Sequence, residues 1–263
     1  MWLKSGKKRN TIYNRETPAG CKHRLVGDDM SNSRRGFVPS DAKEFSVENL
    51  NILRIAQQDI LYLLSRGYPI KNASTYVGNH YMLSERQRLA IVRASSEQNA
   101  LMLRKAKELS KEQMKQKIYI DGLNTIITLE VALSEGTLIR CMDGTIRDLA
   151  GLRGTYRLID KTEKAIVLIG AKLMELQIEH VTFYLDAPVS NTGRLKMKLY
   201  ELLKEFPYGI DVQLVNNADV LLEKLENVIT SDAIVLNRCK SWYNLVRDIL
   251  KSNVPEVTYV DLS

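Results

Sequence analysis

The sequence predicts an α/β fold, a mainly parallel sheet flanked by helices, with an all-helical segment ahead of it. Three observations carry that expectation. From Lys117 onward, short runs rich in β-branched residues alternate with longer stretches of helical periodicity, the pattern of strand, helix, strand units joined by right-handed crossovers. Between 45 and 115 the apolar residues instead recur at threes, fours and sevens, which is helical spacing. Several of the apolar runs end at or just before an aspartate, and in open α/β sheets the carboxyl edge is where ligands collect.

Taken in order, residues 1–44 hold few large aliphatics among many Lys, Arg, Asn, Ser and Gly. Such a stretch cannot bury enough apolar surface to offset the entropy of ordering. A basic, flexible tail is expected, part of which can order by docking on its neighbour. KSGKKR at 4–9 and SRRG at 33–36 are its candidate nucleic-acid contacts, against an ordinary disordered arm. Ser46 is placed to cap a helix with the stripe Val47, Leu50, Leu53, Ile60 and Leu64, stopped by Gly67, Tyr68 and Pro69. A short helix is expected over 71–77. Ser84-Glu85-Arg86-Gln87 forms a capping box opening a helix through Arg93, and Ser95 or Ser96 is expected to start a third, long helix reaching about Gln116. Residues 45–115 are thus expected to be an all-helical basic domain and 116–263 an α/β domain. In the latter, strands are expected at KIYID, VTFYLD, DVQLV, NVITSD and VTYV, with helices over 124–133, 157–176, 191–204, 218–225 and 242–251.

Bulk composition excludes several classes. No run of about 18 apolar residues occurs, and the basic start MWLKSGKKRN has no apolar region behind it, so neither a membrane span nor a secretory signal is expected. A cytoplasmic location follows as the expectation. Cys21, Cys141 and Cys239 are odd in number, widely separated and without C-x-x-C spacing, which argues against a disulfide framework and against a zinc site. Charge is uneven: residues 1–44 carry ten Lys/Arg against five Asp/Glu, 45–115 eleven against six, and 116–263 seventeen against twenty. A basic part ahead of an acidic one suits holding a polyanion beside a carboxylate site, although Lys-rich helices with solvated faces have the same composition. Tyr62, Tyr68, Tyr76 and Tyr81 interleave with Arg66, Arg86, Arg88, Arg93 and Arg104. That mixture fits phosphate contact and base stacking, and equally fits half-buried tyrosines with wet hydroxyl tips.

The chemistry is read from four aspartates: Asp121 in KIYIDGLNT, Asp186 in VTFYLDAPVSNTG, Asp219 in NNADVLL and Asp232 in ITSDAIVLN. Carboxylates converging on one sheet edge repel one another and lose hydration unless a cation neutralises them. Hard oxygen donors without a His or Cys cluster point to Mg²⁺ or Mn²⁺. The expected role is metal-dependent phosphodiester hydrolysis, with Asp121, Asp186 and Asp232 as direct ligands and Asp219 and Asp143 acting through water. Asn124 is expected to orient a carboxylate or the scissile phosphate, and Ser190 or Ser231 to hydrogen-bond a non-bridging oxygen. Ser190 lies in a Ser/Asn/Thr/Gly loop at a helix start, where free N–H groups suit a phosphate. In CMDGTIRDLAGLRGTYR, Arg147, Arg153 and Arg157 are candidate phosphate clamps, and Glu130, ahead of that segment, with Asp143 and Asp148 within it, are additional carboxylates. A solvated loop and simple helix caps at Asp219 and Asp232 stay open beside these roles.

KIYIDGLNTI resembles the opening strand and turn of the PIN-like and NYN-type ribonuclease superfamily, where a strand ends in Asp followed shortly by Asn. NNADVLLEKL followed by NVITSDAIVL is similar to that superfamily's later pair, an Asp at a helix start and then a strand ending in Ser-Asp. The resemblance implies a PIN-like fold, RNA rather than DNA as substrate, and a frequent tendency to dimerise, for which the helices at 46–66 and 96–115 offer faces. The helical segment ahead of a PIN-like domain also resembles a two-part prokaryotic family frequent in archaea. One departure stands out: NYN-type enzymes carry Ser-Gly-Asp-x-Asp where this chain has Ser231-Asp232-Ala233-Ile234. A degenerate, non-catalytic RNA-binding or protein-interaction scaffold, or a small-molecule phosphohydrolase, therefore competes with a ribonuclease.

Overall fold

β1 (Lys117–Asp121), β4 (His180–Asp186), β5 (Gly209–Val215) and β6 (Val228–Ile229) form a parallel sheet in the order β5-β4-β1-β6. The computed structural model describes residues 33–152, 154–257 and 259–263, which lie within one unit. The chain builds the sheet outward from β1 to β4 to β5, then returns to lay β6 on the other side of β1. That reversal leaves a switch point between β1 and β6, where open α/β sheets form a crevice at the strands' carboxyl ends.

Period-two alternation sends the strand residues to two different cores. Ile118, Ile120, Val181, Phe183, Leu185 and Val212 pack on one face against α6 (Gly122–Leu133), α7 (Asp160–Glu175), α8 (Thr192–Leu203) and α11 (Leu245–Asn253). Tyr119 and Tyr184 face the other side, under α9 (Ala218–Leu222), α10 (Ala233–Arg238) and Trp242. A second sheet, order β3-β2-β7, joins β2 (Leu138–Arg140) to β3 (Ile146–Asp148) antiparallel and to β7 (Tyr259–Asp261) parallel.

The N-terminal helices are α1 (Asp41–Glu44), α2 (Val47–Ser65), α3 (Ile70–His80), α4 (Glu85–Ala94) and α5 (Gln98–Lys107). Ser46 caps α2 by accepting the Asn49 N–H, and Ser84 and Gln87 form the expected capping box. Leu53, Ile60, Val77 and Ile91 share one core with Ile139, Cys141 and Leu149 beside β2 and β3, and with Val260 and Leu262 around β7. The second sheet is therefore the floor on which the helices rest.

Several expectations need correction. The third long helix ends at Lys107, because Leu109 and Lys107 exchange backbone hydrogen bonds with Trp242 at 2.8 and 3.0 Å. A short 3-10 turn at Lys111–Gln113 follows. The same pairing holds Trp242 extended, so the last helix starts at Leu245 rather than 242. Only Val228 and Ile229 of NVITSD pair as strand, since Asn227 has φ 54° and residues 230–232 turn over the sheet edge into α10. The run VTYV feeds the second sheet through β7, not the main one. Residues 33–44, expected within the flexible tail, are docked. Arg35 contacts the fully buried Glu130 at 2.7 Å, and Asp41 pairs with Arg86. Arg34 of SRRG is spent on Glu135 and the Ser134 carbonyl. KSGKKR lies outside the described residues, as do Cys21 and Arg153.

Candidate functional site

The switch point is bridged by side chains. Asp121 ends β1 and caps α6: one carboxylate oxygen accepts the Asn124 N–H at 3.3 Å and the other the Thr230 hydroxyl at 2.8 Å. Asn124 Oδ1 accepts both the N–H and the hydroxyl of Ser231, at 3.0 and 2.8 Å. Because a backbone N–H must meet the oxygen, that bond fixes the amide's orientation. Asn124 also lines the adjoining cavity. Gly122 follows Asp121 because the helix starts against β4: a Cβ there would lie 2.5 Å from Leu185 Cδ2 and 3.1 Å from the Tyr184 carbonyl.

Three further carboxylates stand on the same edge. Asp186 ends β4 and accepts the Ala218 N–H at 2.8 Å, fixing the start of α9. Asp219 lies in the first turn of α9, and Asp232 caps α10 through the Ile234 and Val235 N–H groups at 2.7 and 3.1 Å. The cap roles foreseen for Asp232 are thus real, while α9 is capped by Asn217, not Asp219. Burial, reinforced by Asp219 and Asp232 and only partly opposed by the Thr230 and Asn124 bonds, pushes the Asp121 carboxyl up to about 7. Burial, then Asp232, Asp186 and Glu223, pushes Asp219 up to about 6. Among the described residues no Lys or Arg forms an ion pair with any of the four. The four share an electrostatic environment, yet no three His, Cys, Asp or Glu side chains of the described residues are drawn together tightly enough to hold a metal ion as they stand.

Beside this edge lies a cavity of about 590 Å³ between the N-terminal helices and the sheet, lined by Arg93, Ser96, Asn124, Ser231, Asp232 and Asn237 among others. Its volume is that of a small-molecule site. Of the expected arginine clamps, Arg147 is used otherwise. Arg147 is buried; it donates to the Ser231 carbonyl at 2.7 Å, to Asp143 at 2.5 Å and to the Arg93 carbonyl. Arg104, named in the sequence only among the arginines interleaved with tyrosines, meets Asp143 at 2.6 Å, Ser96 at 2.8 Å and Asn237 at 2.7 Å. Asp143 is thus enclosed by two guanidinium groups instead of reaching the carboxylate edge. Burial raises its pKa, and Arg147, Thr145 and Arg104 together outweigh burial and hold it low.

Other expected contacts are also spent within the chain. Arg86 binds Asp41 and the Leu149 and Gly36 carbonyls; Arg88 binds Asn79 and the Leu83 carbonyl; Arg93 binds Asp148. Ser190 accepts the Tyr156 N–H at 3.1 Å, closing the loop that carries the exposed Arg157. Glu130 and Asp148 are buried and held by Arg35, Tyr156 and Thr128. Thr230, the residue that joins Asp121 to the Asp232 backbone, was not foreseen; its position one residue past a β-branched strand and beside Ser-Asp is the signal. Tyr62, Tyr68 and Tyr76 are exposed, against the half-buried reading.

A family model described as a domain of unknown function (DUF5616) matches residues 110–248, and a second, described as a protein of unknown function (DUF434), matches 52–107. The chain belongs to the DUF5616 family. The DUF5616 match spans β1, β4, β5 and β6 with all four edge aspartates, while the DUF434 match takes in most of the helices that roof the cavity. The chain is similar to an uncharacterized protein, MJ0935, of Methanocaldococcus jannaschii, at 37% identity over 69% of this chain and 87% of that one. No solved structure matches it. No described helix is long and apolar enough to cross a membrane.

Proposed function

We propose that the chain is a metal-dependent phosphodiester hydrolase acting on RNA, built on a PIN-like domain. The observation that carries this reading is the placement of Asp121, Asp186, Asp219 and Asp232 on one sheet edge, where no described Lys or Arg pairs with them and burial and mutual repulsion push Asp121 and Asp219 up to about 7 and about 6. Two carboxyls held up by burial and by their neighbours' charge are relieved by a divalent cation. The donor set is all oxygen, which suits Mg²⁺ or Mn²⁺. As they stand the carboxylates do not close on one ion, so holding it would require Asp121, Asp219 and Asp232 to draw together, with Asp186 beside them. A bound ion of this kind supplies an activated water and stabilises charge on the leaving oxygen. The chain's own groups then position the substrate: Asn124 Nδ2 donates to a phosphate oxygen, while Ser231 and Thr230 hold Asn124 and Asp121 in place. RNA as substrate rests on the motif resemblance, which the acidic edge at a parallel-sheet switch point supports.

A second reading is favoured by one observation. The carboxylates spend oxygens on helix caps and are not drawn into a tight group of three, as expected of a PIN-like scaffold that binds RNA without cutting it. Cleavage of end-labelled single-stranded RNA with Mn²⁺ or Mg²⁺, beside Asp121→Asn and a chelator control, separates the two. Cleavage lost in both controls supports the hydrolase; retention of RNA without cleavage, unaffected by chelator, supports the scaffold.

A further inference from the structure

At the opposite, amino end of the same sheet lies a small cavity of about 250 Å³, lined by Lys115, Lys117, Tyr119, Lys224, Asn227 and Lys240 with Leu225 and Glu226. Four lysines converge there, three of them from residues 116–263, which carry more acidic than basic side chains. The lining holds one carboxylate, Glu226, and Lys115 occupies it at 2.7 Å. Among the described residues Lys117, Lys224 and Lys240 form no ion pair, and Lys117 Nζ stands 5.7 Å from the Tyr119 ring centroid. All four lysines are exposed at the rim, whereas Asn227 is buried and ties the two strand starts together by donating to the Lys117 carbonyl at 3.1 Å. The floor is thus rigid and the charges are on flexible stems. Like charges gathered around a concavity focus a field that attracts anions. The volume is below that of a drug-sized pocket and suits one phosphate group with its hydration.

We propose that this cavity is an anion site that takes a phosphate of a bound nucleic-acid strand. Lys117 and Asp121 are the two ends of β1, so at about 3.3 Å per residue the anion site lies roughly 13 Å from the acidic edge. A strand anchored there stays within reach of the edge without adding charge to it. Naming the strand as RNA rests on the hydrolase reading; the anion site itself does not.

The test uses the ¹⁵N-labelled full chain titrated with inorganic phosphate, followed by binding of a short fluorescent oligouridylate across a salt series. Two proteins are compared with the parent: Lys117→Gln/Lys224→Gln/Lys240→Gln, and a control removing Lys71, Lys164 and Lys251. Phosphate is expected to shift amides at 117–119, 225–228 and 240, and the first variant to lose those shifts while the control keeps them. For the oligonucleotide, the first variant alone is expected to weaken binding and to lower the salt slope by about 2, near 0.7 per lost contact on a single strand. Phosphate shifts that are absent, or that persist in the first variant, overturn the anion site. Phosphate binding that depends on the lysines, with oligonucleotide binding that does not, overturns the strand and leaves a small phosphate ligand. Lysine-dependent binding without any metal-dependent cleavage sinks the hydrolase reading alone.

Discussion

Thr230 donates its hydroxyl to Asp121 at 2.8 Å while its oxygen accepts the Asp232 N–H at 3.0 Å. One small side chain thereby ties the end of β1 to the start of α10 across the switch point, and sets two of the four edge carboxylates relative to each other. The arrangement keeps Asp121 in a place where its ionisation is costly.

That cost has a definite pH dependence. Burial, outweighing the Thr230 bond, puts the Asp121 pKa at about 7 in the folded chain, whereas an unfolded aspartate ionises near 3.9. The unfolded state therefore gains from ionisation as pH rises from about 4, and the folded state does not until about 7. The penalty is absent below about pH 4 and complete above about pH 7. Thermal melting without divalent ions is expected to show a midpoint that falls from pH 5 to pH 8. Asp121→Asn is expected to flatten the fall and to melt above the parent at pH 8; a variant that melts lower at pH 8 contradicts the assignment.

Gly122 is fixed by the closeness of α6 to β4. Gly122→Ala drives a methyl against Leu185 and the Tyr184 carbonyl, and overpacking of this kind costs about 1–3 kcal/mol. Gly193→Ala, where nothing lies within 4 Å, is the control. Urea midpoints are expected to drop for the first and to hold or rise for the second.

The enclosure of Asp143 by Arg104 and Arg147 makes the carboxylate indispensable to its partners. Asp143→Ala leaves two buried guanidinium groups unpaired, at a cost of about 3–5 kcal/mol. Replacing all three residues with Leu or Met of similar bulk is expected to recover most of that loss. Denaturant unfolding of the single and triple variants reads both values, and a triple variant no better than Asp143→Ala would rule out the unpaired charges as the cause.

Arg35 carries the docking of residues 33–44. Its guanidinium meets Glu130, which is 0% exposed, and also bonds the Arg157 carbonyl. Arg35→Ala is expected to cost about 3–5 kcal/mol and to raise amide exchange at 34–45. Unchanged exchange there would mean the segment is held by other contacts.

Periodicity made most of the main sheet readable, because β1, β4 and β5 are long β-branched runs and their residues need only alternate between two cores. The second sheet escaped because its strands are three residues long, too short for alternation to register. A local signal was present: Asp143-Gly144 between LIRC and TIRD is a hairpin turn sequence, and Gly144 has φ 77°. The edge aspartates were legible from their place after strands. Arginine roles were not, since Arg86, Arg93, Arg104 and Arg147 differ from phosphate-binding arginines only in which carboxylates the fold brings to them, and those partners lie 39 to 55 residues away or, for Arg147, one helical-turn spacing away. Arg35 and Asp41 were hidden by composition, which averages a few anchoring residues into a polar stretch.

The floor beneath α2 to α4 is finished by β7, and Gln57 reaches the Leu262 carbonyl across 205 residues of sequence. At about 5–20 residues per second, a ribosome needs on the order of 10 to 40 s to make that intervening chain. Throughout that interval Leu53, Ile60 and Ile91 wait without Val260 and Leu262. The helices emerge first but seal last, so a nascent chain presents a greasy surface to chaperones until synthesis has passed Leu262.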